Sequence, residues 1–240
     1  MLSLLNPLCT FVVKDQKYRN MKINAIITGT TGMVGEGVLM ESLNHPDVEK
    51  VLVLNRRSCG VTHPKLIEIL HPNFLDLSPV ADKLTGYNAC FFCLGVSSVG
   101  MKEDVYLSMT YTLTMHVAGI LARQNADMTF CYVSGAGTDS TEKGRINWAR
   151  VKGKTENDLM KLPFKMVFAF RPGFMLAEKG AKNVPGYFGV FRVLYPVIRA
   201  LFPRFVTTLK EVAVAMINCV KYGYQKQVIE VVDIIALSKK

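Results

Sequence analysis

The sequence predicts an α/β protein built on a doubly wound parallel sheet, with a small C-terminal substrate or lid region. Two observations carry this prediction. Short apolar runs rich in β-branched residues alternate with longer amphipathic segments along the chain, and the first run leads directly into a glycine-rich turn. Because alternating strands and helices favour a parallel sheet covered on both faces, ligands are expected at the carboxyl ends of its strands.

The length and the net charge of the chain limit the number of domains and the kinds of ligand that we expect. The chain has 240 residues, enough for one α/β domain with a sizeable core. We therefore expect a single domain over 21–240, with the substrate or lid region over about 174–240. The net charge of +10 suits an anionic cofactor, an acidic substrate or an acidic surface, without distinguishing among them. Because the chain has no long charge run and no low-complexity tract, nucleic-acid binding has no specific support.

The first 20 residues are expected to stand outside this domain. Their apolar stretch is interrupted by Pro7, is too short to span a bilayer, and lacks the basic start and cleavage site of a secretory signal. Met21 lies where a chain that begins with the first strand would start. The sequence thus predicts a disordered extension or an upstream start codon that is not used.

The glycine-rich turn follows a predicted strand, Ile23–Thr28, and precedes an amphipathic segment. Glycines let the chain turn sharply and let its N–H groups approach a pyrophosphate, which the helix N-terminus attracts. The spacing is GxxGxxG instead of GxGxxG, so the position after a strand carries the argument; a tight turn without ligand is the alternative. The expected cofactor-binding residues are Gly29, Thr31, Gly32, Met33, Val34 and Gly35.

The end of the second predicted strand, Val48–Leu54, indicates which dinucleotide binds. Asn55 stands about 20 residues after Gly35, where NAD-binding proteins carry an acid for the ribose 2′-hydroxyl. Here the amide is followed by Arg56 and Arg57, whose guanidinium groups suit a 2′-phosphate. The sequence therefore favours NADP over NAD. Two solvated surface arginines are the alternative, which explains their charge but not the missing acid.

The remaining elements continue the alternation. Further strands are predicted over Lys65–Leu70, Ala89–Leu94, Thr129–Val133 and Lys165–Phe170, and helices over Asp104–Ala126 and from about Asn147 to Lys161. After the third strand, Asp76 either accepts a hydrogen bond from an adenine amino group or caps the next helix. Gly95, after the fourth strand, would let the backbone pass close to the cofactor.

The cysteines indicate core packing. Cys90 and Cys93 resemble half of a metal or redox site, but an odd spacing on a strand sends the two side chains to opposite faces. No second pair accompanies them. We expect buried cysteines in a reducing compartment, no metal site and a cytoplasmic location.

Several short motifs occur in the order of one known family. They are Gly29–Gly35, Asp76-Leu77, Cys93-Leu94-Gly95, Ser134, Lys152-Gly153-Lys154-Thr155-Glu156 and Arg171-Pro172-Gly173. Over roughly 21–240 the chain resembles the atypical short-chain dehydrogenase/reductase superfamily, in its NAD-dependent epimerase/dehydratase-like group, near the Tat-interacting-protein-like oxidoreductases. The resemblance implies a Rossmann fold, with cofactor contacts also from Asp76, Leu77, Cys93, Leu94, Gly95, Lys152, Pro172 and Gly173.

The resemblance also assigns catalytic roles. In that superfamily a serine orients the substrate carbonyl, and a tyrosine four residues before a lysine transfers the proton. These positions hold Ser134, Trp148 and Lys152. A spacing of four keeps Trp148 and Lys152 on one helix face, but an indole cannot supply a proton near neutral pH. Three nearby tyrosines lack the motif's spacing: Tyr106, Tyr111 and Tyr132.

The C-terminal third is expected to form the substrate side. Residues 183–205 are rich in aromatics with interspersed arginines, which fits a lid or core segment, a homodimer contact or a basic helix on an anionic membrane. Thr208 and Glu211 have the spacing of a capping box before a helix over Val212–Val220. A last strand over Val228–Asp233 is expected before a charged tail.

Two functional classes follow. The first, which we take as the lead, is an NADP-dependent oxidoreductase or isomerase-type enzyme acting on a small carbonyl or hydroxyl substrate. A water or a displaced tyrosine would then replace the missing acid. The second is a dinucleotide-binding sensor or partner-binding protein without redox turnover. Trp148 favours the second class, and the otherwise intact motif favours the first.

Overall fold

The computed structural model describes residues 21–178, 180–183 and 188–240, without the side chains of 188–193. The extension expected at 1–20 lies outside the described residues. The strands of the central sheet are β1 (Ile23–Thr28), β2 (Val48–Asn55), β3 (Leu66–Leu70), β4 (Ala89–Phe92), β5 (Thr129–Val133), β6 (Met166–Arg171) and β9 (Val228–Glu230). They pair in parallel in the order β3-β2-β1-β4-β5-β6-β9.

Helices connect and cover these strands. They are α1 (Met33–Asn44), α2 (Glu103–Gln124, with a π turn at Ser108–Thr112), α3 (Asn147–Leu159), α4 (Phe188–Leu201), α5 (Leu209–Tyr222) and α6 (Val231–Leu237), with a 3₁₀ helix at Ser78–Leu84. Two short strands, β7 (Phe174–Leu176) and β8 (Val206–Thr208), form a separate parallel pair.

The sheet is buried on both faces. Ile26 and Ile27, neighbours on β1, are each fully buried but belong to different cores. The Ile27 core lies under α1, α5 and α6, and the Ile26 core lies under α2, the 3₁₀ helix and the end of α3. Cys90 lies in the second core and Cys93 packs against the first, as their odd spacing predicts. The predicted doubly wound Rossmann-type sheet is confirmed.

Helix α2 is long and apolar enough to compare with a membrane span, with a mean hydropathy of 1.3 over its best window. Its inner face nevertheless packs on the sheet, where Val117, Ala118 and Leu121 are at most 1% exposed. Because one face of α2 packs in the core, the fold itself explains the apolar composition of this helix.

The C-terminal segment differs from the expectation at its end. The predicted strand Val228–Asp233 stops at Glu230, and α6 replaces the charged tail. Glu230 and Asp233 form a reciprocal capping box, which ends the strand and starts the helix. The capping box predicted from Thr208 and Glu211 is confirmed at the start of α5.

Much of the region after residue 174 belongs to the main unit. Helix α5 buries Val212, Ala213, Met216 and Ile217 under the central sheet, and β9 pairs with β6. The strands β7 and β8 pair with each other in a sheet separate from the central one. The division at about 174 therefore stays a prediction about function.

Candidate functional site

Two glycines of the first turn are required by packing. Gly29 has a φ of +73°, and a Cβ on it would come within 2.7 Å of the Cys93 carbonyl oxygen and the Leu94 nitrogen. A Cβ on Gly35 would lie 2.2 Å from the Gly29 oxygen. Because neither position tolerates a side chain, the ends of β1 and β4 and the start of α1 meet through bare backbone.

Gly32 has a different environment. Its φ is −106°, which any residue adopts, and the atom closest to an added Cβ is the Gly29 oxygen at 3.4 Å. Gly95, after β4, has no atom within 4 Å of an added Cβ. Nothing in the described protein requires glycine at either position, whereas a ligand against the N-terminus of α1 would. This backbone-lined cradle fits a dinucleotide pyrophosphate, and Thr31, Met33 and Val34 lie half-buried beside it.

The side chain of Asn55 forms hydrogen bonds with the glycine-rich turn. Its Nδ2 donates to Thr30 Oγ1 at 2.5 Å, and its Oδ1 accepts from the Thr30 backbone nitrogen at 3.3 Å. Both residues are buried, at 3% and 1% exposure. The residue at the ribose-acid position therefore holds the glycine-rich turn against the end of β2.

Arg56 and Arg57 follow Asn55 and are exposed. Neither forms an ion pair with any residue in the described ranges. Two guanidinium groups thus lie at the carboxyl end of β2, on the strand next to the glycine-rich turn. An added phosphate there would meet two guanidinium groups, and the Glu68 carboxylate close to them in the fold is hydrogen-bonded to Ser58 and Cys59.

The geometry of Asp76 matches the capping alternative. Its Oδ1 accepts from the Ser78 nitrogen at 3.1 Å and from the Ser78 hydroxyl at 2.6 Å, which lowers the pKa of Asp76. Ser78 begins the 3₁₀ helix, so the carboxylate organises that helix start. Leu77 is fully buried in the second core. The exposed Asp76 side chain keeps its second oxygen for another donor.

Ser134 and Lys152 are brought together, but through the main chain of the serine. Lys152 Nζ donates to the Ser134 carbonyl oxygen. The Ser134 hydroxyl donates to the Phe170 carbonyl oxygen at 3.0 Å, and the residue is 4% exposed. In this conformation the hydroxyl proton is used inside the fold. The neighbouring Gly135, with φ +136° and no atom near an added Cβ, lines the open side.

Burial lowers the pKa of Lys152 to about 8, although the carboxylate of Glu156 on the same helix opposes the shift. Glu156 is itself fully buried and paired with Arg171. The ammonium of Lys152 is therefore a stronger acid than an exposed lysine.

Trp148 lies one helical turn before Lys152, as predicted from the spacing. It is half-buried, and its Cη2 would be 3.5 Å from a Cβ on Gly137. The indole thus lies over the loop that follows β5. The tyrosine position of the motif is occupied by a ring that covers backbone and carries no ionisable group.

None of the three candidate tyrosines replaces the missing phenol. Tyr106 and Tyr132 are each 1% exposed, and burial raises the pKa of both. The Tyr111 hydroxyl donates to Asp158 Oδ2 at 2.8 Å, on the outer part of α3. The displaced-tyrosine alternative therefore has no support in this geometry.

The Arg171-Pro172-Gly173 motif has a structural explanation. Arg171 Nε donates to Glu156 Oε1 at 3.0 Å, and its Nη2 contacts both Glu156 Oε2 and Ser140 Oγ. The Pro172 oxygen accepts from the Ala136 nitrogen at 2.9 Å. A Cβ on Gly173 would lie 2.1 Å from the Phe205 oxygen. The motif ties β6 to α3, to the loop after β5 and to β8.

Two contacts around the site were not predicted from the sequence. Glu36, in the first turn of α1, accepts hydrogen bonds at 2.8 Å from the Lys182 and Asn183 backbone nitrogens. A Cβ on Gly153 would collide with the Asp139 oxygen at 1.8 Å, so this glycine lets the loop rest on α3. An acid in a first helical turn and a mid-helix glycine were the available signals.

No protein-family model matches the chain. Among curated proteins, FMP52, mitochondrial, of Saccharomyces cerevisiae is 24% identical over 169 residues, covering 70% of this chain and 72% of that protein. HTATIP2 of Rattus norvegicus is 24% identical over 168 residues, covering 69% and 67% respectively.

Solved structures share the fold. The Bordetella bronchiseptica enzyme WbmF in complex with NAD⁺ matches with a TM-score of 0.62 at 15% identity, over 92% of this chain and 78% of that one. The ADP-L-glycero-D-manno-heptose-6-epimerase of Helicobacter pylori matches with a TM-score of 0.60 at 17% identity, over 94% and 82%.

The chain therefore has a Rossmann-type fold with a glycine-rich turn after its first strand, and it is similar to the curated and solved proteins named above. The resemblance to epimerase/dehydratase-like proteins that the motifs predicted agrees with the solved structures that share its fold, among them an epimerase. The cytoplasmic location expected from the sequence is contradicted, because curated relatives from Saccharomyces, Aspergillus and Meyerozyma are named mitochondrial proteins.

Proposed function

We propose that the protein is an NADP-dependent oxidoreductase acting on a small carbonyl or hydroxyl compound. The observation that carries this proposal is the open space at Gly32 and Gly95, beside two exposed arginines; within the described ranges no atom fills that space and no acid pairs with either arginine. A neighbour in the fold, WbmF, is known in complex with NAD⁺. The bound dinucleotide would supply or accept a hydride, and the chain's own residues would hold both reactants.

Different residues would bind different parts of the cofactor and the substrate. The turn containing Gly29, Gly32 and Gly35 would hold the pyrophosphate, and Arg56 with Arg57 would hold the 2′-phosphate. Lys152 would hold the nicotinamide ribose while fixed by the Ser134 oxygen. With the tyrosines occupied elsewhere, the proton for the substrate oxygen would come from the Lys152 ammonium or a water beside it. We extend the cofactor assignment to Asp76, Leu77, Cys93, Leu94, Pro172 and Gly173.

Arg56→Ala/Arg57→Ala should weaken NADPH binding by about 1–3 kcal/mol and leave NADH binding nearly unchanged. The reason is that charge-assisted hydrogen bonds to the 2′-phosphate are lost, and NADH has no such group. Titration of wild type and variant with both nucleotides measures this directly. As a control, Lys143→Ala and Arg145→Ala remove two exposed cations from the loop after β5. A wild type that prefers NADH, or binds both equally, contradicts the cofactor assignment.

If the Lys152 ammonium donates the proton, carbonyl reduction should slow as the pH rises through about 8. The donor is the protonated form, and burial places the pKa of Lys152 at about 8. The measurement is the reduction rate at saturating NADPH between pH 6.5 and pH 9.5, about 1.5 units either side of that pKa. Lys152→Arg keeps a positive charge but neither titrates nor donates a proton in this range, so its rate should be lower than that of wild type and should not fall near pH 8. A flat wild-type profile would assign the proton to water.

Binding without turnover is the second candidate function, and Trp148 is the observation that favours it. In that case the protein would act as a dinucleotide sensor or partner-binding protein. The two candidates share the cradle and differ in catalysis alone. NADPH binding together with undetectable oxidation across ketones and aldehydes would select the sensor.

A further inference from the structure

Helix α4 and the turn after it expose a continuous apolar face. Leu194 is 48% exposed, Val197 58%, Leu201 66% and Phe205 65%. Leu194, Val197 and Leu201 are spaced by three and four residues, which places them on one side of α4, and Phe205 lies in the turn that follows. Phe202, 55% exposed, flanks this side. We call these five side chains the α4 face.

The opposite side of α4 is held by polar contacts. Arg199 Nη1 and Nη2 bind the two carboxylate oxygens of Glu211 on α5, at 2.8 and 2.6 Å. Arg199 also donates to the Tyr195 hydroxyl at 2.7 Å. Because Tyr195 and Arg199 are paired on the side of α4 that meets α5, the apolar side is directed to solvent. This is the reverse of a helix that covers a core.

The sequence segment that contains α4 has basic residues but no acidic ones. Between Glu178 and Glu211 the sequence contains no Asp or Glu, and it contains six basic residues: Lys179, Lys182, Arg192, Arg199, Arg204 and Lys210. Arg199 is paired with Glu211, whereas Arg204 and Lys210, which precede and follow Phe205 by one and five residues in the sequence, are exposed. An apolar strip bordered by unopposed cations is complementary to anionic headgroups above an acyl layer.

We propose that the α4 face docks this protein onto an anionic lipid surface. The large side chains would enter the boundary between headgroups and acyl chains, while Arg204 and Lys210 remain among the phosphates. A second copy of the chain fits this face less well. A two-fold contact would place two like-charged segments against each other.

The test is co-sedimentation of the full chain with vesicles of phosphatidylcholine alone or mixed with phosphatidylserine. We expect binding to the mixed vesicles, little binding to phosphatidylcholine, and release by added salt. Leu201→Gln/Phe205→Gln should reduce binding about tenfold or more, because two large apolar groups no longer enter the bilayer. Arg204→Gln/Lys210→Gln should reduce binding to mixed vesicles by a similar factor.

Matched control variants distinguish binding through the α4 face from nonspecific binding of exposed apolar side chains elsewhere on the protein. Leu70→Gln and Val232→Gln change side chains of similar exposure, 53% and 48%, on other elements, and should bind as wild type does. Undiminished binding by either double variant overturns the proposal. So does a dimer in light scattering that Leu201→Gln/Phe205→Gln dissociates, since the face would then be a subunit contact. NADPH titration of the same variants checks that they are folded.

Discussion

Trp148→Tyr is expected to raise the rate of NADPH-dependent carbonyl reduction by about 10²–10⁴-fold, the range that a positioned general acid supplies. The substitution puts a phenol on the helix face of Lys152, one turn away. The positive charge of Lys152 favours the phenolate and so lowers the pKa of the new tyrosine. NADPH oxidation by both proteins over a panel of ketones and aldehydes measures the gain.

Trp148→Phe is the matched control for this experiment. It also removes the indole from above Gly137, but it adds no hydroxyl. An equal gain in Trp148→Phe would mean that the indole obstructs the substrate and that proton supply is not limiting. A rate lower than wild type in Trp148→Tyr would instead mean that the indole itself binds nicotinamide or substrate. Brisk turnover by the unmodified protein would exclude the sensor function.

Gly32→Val should abolish NADPH binding while leaving the fold intact. The backbone at Gly32 is extended, which suits a β-branched residue, and apart from its chain neighbours no described residue has an atom closer than 3.4 Å to the new Cβ. The branched side chain would instead occupy the space through which a pyrophosphate approaches α1. Nucleotide titration and circular dichroism of the same sample separate binding from folding.

Gly35→Ala provides the contrast to Gly32→Val. Its Cβ would lie 2.2 Å from the Gly29 oxygen, so this smaller change should destabilise the protein. The expected pattern is a folded Gly32→Val protein that does not bind and a Gly35→Ala protein with a lower melting temperature. A folded Gly32→Val protein with wild-type affinity would refute the placement of the pyrophosphate.

The sheet could be predicted because its strands are buried on both faces. Continuous apolar runs such as Ile23–Thr28 and Thr129–Val133 are identical in the sequence prediction and in the structure. The segment after Val228 was harder, because Val231, Val232 and Ile234 favour a strand by composition. The capping box of Glu230 and Asp233 overrides that preference and starts α6.

The site was less predictable than the fold, because its decisive contacts join distant residues. The hydrogen bonds between Asn55 and Thr30 connect two strand ends 25 residues apart, and no local pattern encodes them. The direction of the Ser134 hydroxyl depends on where β6 places the Phe170 oxygen. Motif spacing locates such residues on their elements, but it does not determine which neighbour each side chain contacts.

The short strand β9 bears on how this chain is made. It pairs with β6 at Ala169, Phe170 and Arg171, yet it follows β6 in the chain only after β7, α4, β8 and α5. Until it emerges from the ribosome, the newly made β6 presents an unpaired, apolar edge to other nascent chains. A nonsense mutation or proteolytic cut just before Val228 would leave that edge exposed permanently. Such truncated molecules should be found in aggregates or bound to chaperones, even though every residue of the dinucleotide cradle is present.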